Sequence, residues 1–223
     1  MKKTLILNMI FLFTCMNIIA QDNQSENSID VWKYKNHVTF GISSQTLTET
    51  GSNSKLDSKN ALSLQFGKTI WLHPEPIANM VRIGLDVNYV ELHYAFYKET
   101  YATSIYKYYQ GEFGIGVGPS VYVAPFYNTG KEWAHIRANT YFHITPSASA
   151  IYSDGDDESD GSVSYNTFWN WGIGVNYRNF GIGFETRWGK AKYKRYALSG
   201  TDPSQDKVTF KTTTSKFTLS FRF

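Results

Sequence analysis

The chain has 223 residues, 22 Lys+Arg against 19 Asp+Glu, and a formal net charge of +3, which is too balanced to gather nucleic acid through its phosphates. An aromatic content of 17% coexists with a mean hydropathy of −0.36, and no run after Ala20 is long and apolar enough for a membrane helix. The single cysteine, Cys15, excludes a disulfide framework, so the aromatic surplus has to be placed by periodicity.

Residues 1–20 read as a secretory signal peptide: Lys2 and Lys3 form the positive start, Leu5 to Ile19 the apolar core, and Ala20 a small residue before the cut. Cys15 lies inside this leader. Phe13 and Thr14 stand where a lipoprotein signal has small residues, so Cys15 is read as a filler of the apolar core rather than an acylation site. Residues 21–35 form a polar periplasmic lead-in without sustained alternation.

From Asn36 the period is two. Val38, Phe40 and Ile42 define a first strand, and Leu47 to Asn60 a Ser/Thr/Asn/Gly-rich loop. Leu62, Leu64 and Phe66 define a second strand ending near Trp71, where Pro74 and Pro76 force a turn. The third carries Val81, Ile83, Leu85, Val87 and Tyr89 against Arg82, Gly84, Asp86 and Asn88, close to the ~9–11 residues that a tilted strand needs to cross a bilayer. A tyrosine-rich connection (Tyr94, Tyr97, Tyr101, Tyr106, Tyr108, Tyr109) leads to the fourth, Phe113 to Val123, in which Pro119 suggests a bulge or a missing ladder bond.

After a turn over Ala124 to Glu132, the fifth strand puts Ala134, Ile136, Ala138, Phe142 and Ile144 on one face and His135, Arg137, Asn139, Tyr141 and His143 on the other. An acidic loop, Asp154 to Gly161, precedes the sixth strand, Trp169 to Tyr177. Arg178-Asn179 makes a tight turn into the seventh, Phe180 to Trp188, and Ala197 to Lys207 is the last loop. The eighth strand alternates Phe217, Leu219, Phe221 and Phe223 with Lys216, Thr218, Ser220 and Arg222.

The fold class is therefore all-β: an eight-stranded, antiparallel, up-and-down transmembrane β-barrel over residues 36–223. Connections near Asn53, Tyr101, Asp157 and Asp202 read as longer and external, and those near Pro74, Asn128 and Asn179 as shorter and periplasmic. Alternation alone also suits a soluble lipocalin-like cup with apolar residues inward. The glycines favour the membrane barrel: Gly114, Gly116, Gly118, Gly172, Gly174, Gly181 and Gly183 share a face with charged residues, as a narrow lumen requires. That lumen is expected to hold Arg82, Asp86, Glu112, His135, Arg137, Glu185, Arg187 and Arg222 as a mutually paired network. Tyr89, Trp169, Tyr177 and Trp188 are placed in aromatic girdles.

The strand count and the Phe217, Leu219, Phe221, Phe223 ending resemble the small eight-stranded outer-membrane β-barrels, the porin-like family related to outer membrane protein A, in the form common in Bacteroidota. The resemblance implies residence in the outer membrane, insertion by the barrel-assembly machinery through that closing strand, and a non-enzymatic structural, adhesive or narrow-pore role. No cofactor and no nucleic-acid partner are expected, and nothing after Phe223 supplies a peptidoglycan-binding domain.

Three groups of residues invite chemistry. Asp156, Glu158 and Asp160 form an oxygen-rich loop that suits at most weak divalent-ion binding, because Thr167 stands where a bidentate glutamate would. Lys190, Lys192 and Lys194 continue the outward parity of Trp188 to the height of the headgroups, where lipopolysaccharide phosphates would meet them. His143 with Thr145, Ser147 and Glu112 or Glu185 gives the alternative of a barrel-embedded lipid hydrolase of the lipid A deacylase type, although Pro146 interrupts the pattern. The other alternative is the secreted soluble barrel with an apolar ligand.

Overall fold

The structure, a computed structural model, describes residues 31–51, 54–101, 104–126, 132–154, 159–194 and 207–223. Eight antiparallel strands close into one barrel in sequence order: β1 (Asn36–Glu49), β2 (Lys55–Trp71), β3 (Val81–Tyr101), β4 (Ser104–Val123), β5 (Ile136–Asp154), β6 (Ser159–Tyr177), β7 (Phe180–Lys194) and β8 (Lys207–Arg222). A short 3-10 helix, Glu132–His135, precedes β5. β1 pairs with β8 from His37 opposite Arg222 to Glu49 opposite Phe210, so no ladder edge is left open.

The faces are those of a barrel whose outside meets hydrocarbon. Ile42, Ile182 and Phe217 are 71%, 56% and 58% exposed, while Glu185 and Lys216 are buried inside. A lipocalin-like cup requires the reverse, and the apolar outer belt would cost a water-soluble barrel too much exposed area. Phe221 keeps the outward parity of its strand but is covered by ring contacts with Phe180 at 5.2 Å and Phe223 at 6.1 Å.

Several expectations need correction. The tyrosine-rich segment is not a loop: β3 and β4 stay paired out to Tyr101 opposite Ser104. Aromatic residues suit a pleated wall as well as a connection. Leu47 to Glu49 and Lys55 to Asn60 likewise belong to strands. The end away from the termini is therefore connected by residues 50–54, 102–103, 155–158 and 195–206, and the terminal end by 72–80, 124–135 and 178–179. Loop length does not separate the two ends. What separates them is that the wall continues beyond the apolar belt at the end away from the termini.

Pro119 makes no bulge either. The β4–β5 register is the same on both sides of it, from Val117 opposite Ile144 to Ser120 opposite Tyr141, and only ladder pairing near it is lost. The bulges lie at Tyr89–Val90 in β3, where the register slips against both neighbours, and near Lys59 in β2. Tyr89 consequently sits inside the apolar stripe rather than at its end, since Leu92 and Tyr94 carry the outward face onward.

The β3 bulge changes which residues face the lumen. Asp86 and Asn88 point inward before it, Glu91, His93 and Tyr97 after it; strict alternation would have sent the second set into lipid. Deleting Tyr89 removes one surplus residue and preserves both faces, so that variant is expected to keep the compact mobility of an unboiled barrel in detergent electrophoresis. Deleting Ile115 from β4 forces a whole half-strand onto the wrong face, and its unboiled and boiled samples are expected to run alike.

Candidate functional site

The lumen is filled from end to end by side chains that name one another as partners. At the terminal end, Trp32 packs edge-on to Trp71 at 5.6 Å, and Trp71 to Tyr122 at 5.1 Å. Val31 and Ala124 complete this buried cluster. Arg82 lies 5.7 Å over Trp32 and 5.1 Å over Trp71, and its guanidinium donates to the Pro74 carbonyl. Arg137 donates to the carbonyls of Val31 and of Arg178, the latter at 2.7 Å. The last residues of the expected polar lead-in thus form a plug across the mouth. Trp32 is the signal in that segment, a large apolar group with no periodic partner.

Above the plug, Arg222 donates to the Tyr122 hydroxyl and reaches Thr69 Oγ1 at 3.3 Å, and Tyr122 donates to Asp86 Oδ2 at 3.2 Å. His143 Nε2 lies 3.7 Å from the same Asp86 oxygen. Asn88 bridges His37 at 2.9 Å and Glu91 at 2.7 Å across the bulge. A cavity of about 40 Å³ opens among His37, Asp86, Tyr141, His143 and Arg222, room for a few waters on polar walls. One level up, Lys216 Nζ pairs with Glu185 at 2.6 Å, and the Tyr141 hydroxyl donates to Glu185 at 2.6 Å. The Tyr141 ring fits because Gly172 faces it: a Cβ there would come within 2.2 Å.

Next, Arg187 donates to Glu112 and, at 3.2 Å, to Ser147, while its guanidinium stacks 3.9 Å over Phe168. Gly189 clears the space for that ring. Gln110 caps the polar column, accepting from Tyr97 at 2.7 Å and donating to Tyr193 at 2.8 Å. Leu47, Tyr97, Tyr108, Ile151, Tyr193 and Phe210 then close the lumen with an apolar cluster.

Of the expected lumen set, Arg82, Asp86, Glu112, Arg137, Glu185, Arg187 and Arg222 are inside and buried. His135 is not: it sits in the 3-10 helix at the rim, 6.2 Å from the Tyr177 ring. Beside it, Arg178 pairs with Glu132 at 2.5 Å and holds that carboxyl below the ordinary carboxylate range. Both are exposed, so the pair adds little stability, and that little is lost as pH falls and Glu132 protonates. Sequence periodicity missed Glu91, His93 and His37. For the first two the signal was present, since apolar residues change from odd positions (Val81 to Val87) to even ones (Leu92, Tyr94).

His143, Thr145 and Ser147 do share the lumen face but work separately. His143 faces Asp86, Thr145 accepts from Asn170 at 3.1 Å, and Ser147 donates to the Thr145 carbonyl. Among the described residues no group of three or more His, Cys, Asp or Glu is placed to hold a metal. Asp156 and Glu158 lie outside the described residues, and Asp160 is placed in β6 opposite Ser153. Lys190 and Lys192 project outward from β7, and Lys194 ends it. The expected signal peptide, residues 1–20, also lies outside the described residues.

What these elements define is a closed, side-chain-filled, membrane-type barrel. No protein-family model matches the chain, and no curated protein matches it. Among solved structures it is similar to Ail, the attachment invasion locus protein of Yersinia pestis, at 11% identity over 85% of this chain and 99% of that one, with a TM-score of 0.46. Neisserial surface protein A gives 11% identity over 84% and 97%, with a TM-score of 0.44. The outer membrane protease OmpT of Escherichia coli gives 10% over 91% and 99%, with a TM-score of 0.47. At these identities the likeness is one of fold.

The Arg187–Glu112 pair offers a direct test of the lumen. Arg187→Met strands a buried carboxylate and is expected to cost about 3–5 kcal/mol in urea unfolding from lipid vesicles. Adding Glu112→Gln to it should recover most of that loss.

Proposed function

We propose that the protein is an integral, non-enzymatic barrel of a bacterial outer membrane, with both termini of the barrel on the periplasmic side. Its role is structural or adhesive rather than conductive. The observation that carries this reading is the sealed lumen: an aromatic plug at one mouth, an apolar cluster at the other, and paired charges between. A barrel of this strand number has room for side chains and little else. Among the described residues the hydrolase alternative has no nucleophile, base and orienting acid in mutual contact, and the soluble alternative has no apolar cavity for a ligand, since the apolar cluster at the upper end is packed shut and the interior below it is polar and charged.

The working surface is then the wall that rises past the belt, where Tyr94, Tyr152 and Tyr165 are exposed. Phe217, Leu219, Phe221 and Phe223 would present the closing strand to the assembly machinery, and Asp156, Glu158 and Asp160 remain a candidate for weak divalent-ion binding. We further propose kinship with the outer membrane protein A barrels of Bacteroidota, on strand number and the closing-strand pattern.

Reconstituted in planar bilayers, the protein is expected to show no discrete conductance steps; ohmic steps in the wild type would overturn the sealed reading. Fractionation should recover it with the outer membrane, and recovery in the soluble fraction would overturn the location.

A further inference from the structure

The outward face of β7 and β8 carries a row of lysines that, among the described residues, has no acidic partner in the ladder. Lys190 stands directly opposite Lys211, and Lys194 opposite Lys207, with Lys192 between the two pairs. The row continues from Lys211 to Thr48 of β1 and on to Lys55 of β2. Like charges placed directly across a ladder repel. Lys190, Lys192, Lys207, Lys211 and Lys55 are all exposed, and among the described residues Lys190, Lys192 and Lys211 form no ion pair. Elsewhere on the same wall the arrangement is different: Lys98 faces Lys107, but Lys107 has Asp154 as its partner on β5. In the β7–β8 row Lys211 has Thr48 of β1 in that place.

Directly below the row, the same two strands turn apolar. Trp188 sits opposite Thr213, and Phe184 opposite Phe217. Ile182, Phe184 and Phe217 line an outward groove of about 550 Å³ with Val121, Ile173 and Val175. From Lys190 to Phe184 is roughly 20 Å along the strand at ~3.3 Å per residue, and less in depth because the strand is tilted. A lysine row at the headgroup level above an apolar groove in the hydrocarbon asks for one molecule with phosphate at the top and acyl chains beneath.

We propose that this face binds a phosphorylated, acylated saccharolipid of the outer leaflet, the lipid A portion of lipopolysaccharide, with its phosphates on Lys190, Lys192 and Lys211 and acyl chains in the groove of Ile182, Phe184 and Phe217. The assignment rests on the proposed outer-membrane location. It adds Lys211 to the lysines that the sequence pattern singles out, and Lys55 stands at the end of the same row. A soluble anion would use the lysines but not the groove, and an uncharged lipid the groove but not the lysines.

The test is made on the refolded full chain in nanodiscs of zwitterionic lipid, so it does not depend on where the protein resides in the cell. Bisphosphorylated lipid A is titrated in and retention is read by native mass spectrometry. Wild type is expected to retain lipid A with affinity on the order of a hundredfold above that of the Lys190→Gln/Lys192→Gln/Lys211→Gln variant. Dephosphorylated lipid A should bind wild type as weakly as lipid A binds the variant, and excess inorganic phosphate should compete poorly. Lys98→Gln/Lys107→Gln serves as the charge control and should bind like wild type. Heat-shifted mobility of both variants establishes that they are folded. Equal retention by wild type and the triple variant, or equal loss in the control variant, overturns the site while leaving the outer-membrane reading intact. A soluble cellular fraction for a chain that still binds lipid A in nanodiscs overturns the location and not the chemistry.

Discussion

A charge inside a barrel this narrow has little water to fall back on, and the cost of leaving it unpaired orders the rest of the structure. Each buried cation has a nearby anion or an acceptor: Arg187 with Glu112, Lys216 with Glu185, Arg222 with the Tyr122 hydroxyl beside Asp86. Lys216 and Glu185 face each other across the β7–β8 ladder, whereas Arg187 and Arg222 reach across the lumen to β4, so the interior also links strands that the backbone does not. Glycine supplies the clearance where a ring must lie across the neighbouring strand, at Gly172 opposite Tyr141 and at Gly189 opposite Phe168 in the ladder. The β3 bulge supplies a further acceptor by bringing Glu91 to the same side as Asn88. Packing, pairing and local irregularity are here one solution to one electrostatic problem.

The alternation of Val81 to Val87, of Trp169 to Tyr177 and of Phe217 to Phe223 was legible because a half-lipid, half-lumen wall leaves a period of two in the sequence. Strand count, face assignment and most of the lumen set followed from it. The bulges were not legible from local pattern, since a phase change looks like the end of a strand: the odd-position stripe stops at Tyr89 and a new one starts at Leu92. Strand ends were misplaced for a related reason. Once the wall leaves hydrocarbon, tyrosine, threonine and lysine replace the aliphatic markers, and a ladder through Tyr97 and Tyr108 reads as a connection. Lys211 could have been found by running the parity of Phe217 back through Ser215 and Thr213. Trp32 was hidden because a plug that crosses the mouth has no period at all.

On the proposed non-conductive reading, recognition falls to the exposed faces of the strands, because the polar groups of the lumen are largely engaged with one another. Two such faces differ in chemistry: the lysine row of β7 and β8, and the tyrosines of β3, β5 and β6. They sit at the same end of one rigid wall, which fixes their separation in a way that long mobile loops could not.

The apolar cluster of Leu47, Tyr97, Ile151 and Phe210 lies inside the barrel, while Ile182, Phe184 and Phe217 of the same sheet lie outside it. Along β8 alone, Phe210 points in and Phe217 points out. A single strand therefore obeys two opposite solvation codes, that of a membrane barrel in its lower part and that of an ordinary water-soluble barrel in its upper part. The crossover marks the level at which the outward apolar belt gives way to the inward apolar cluster, so in a bilayer the sheet would carry its own depth gauge: displacement along the bilayer normal would expose one code to the wrong solvent, whichever way the barrel moved.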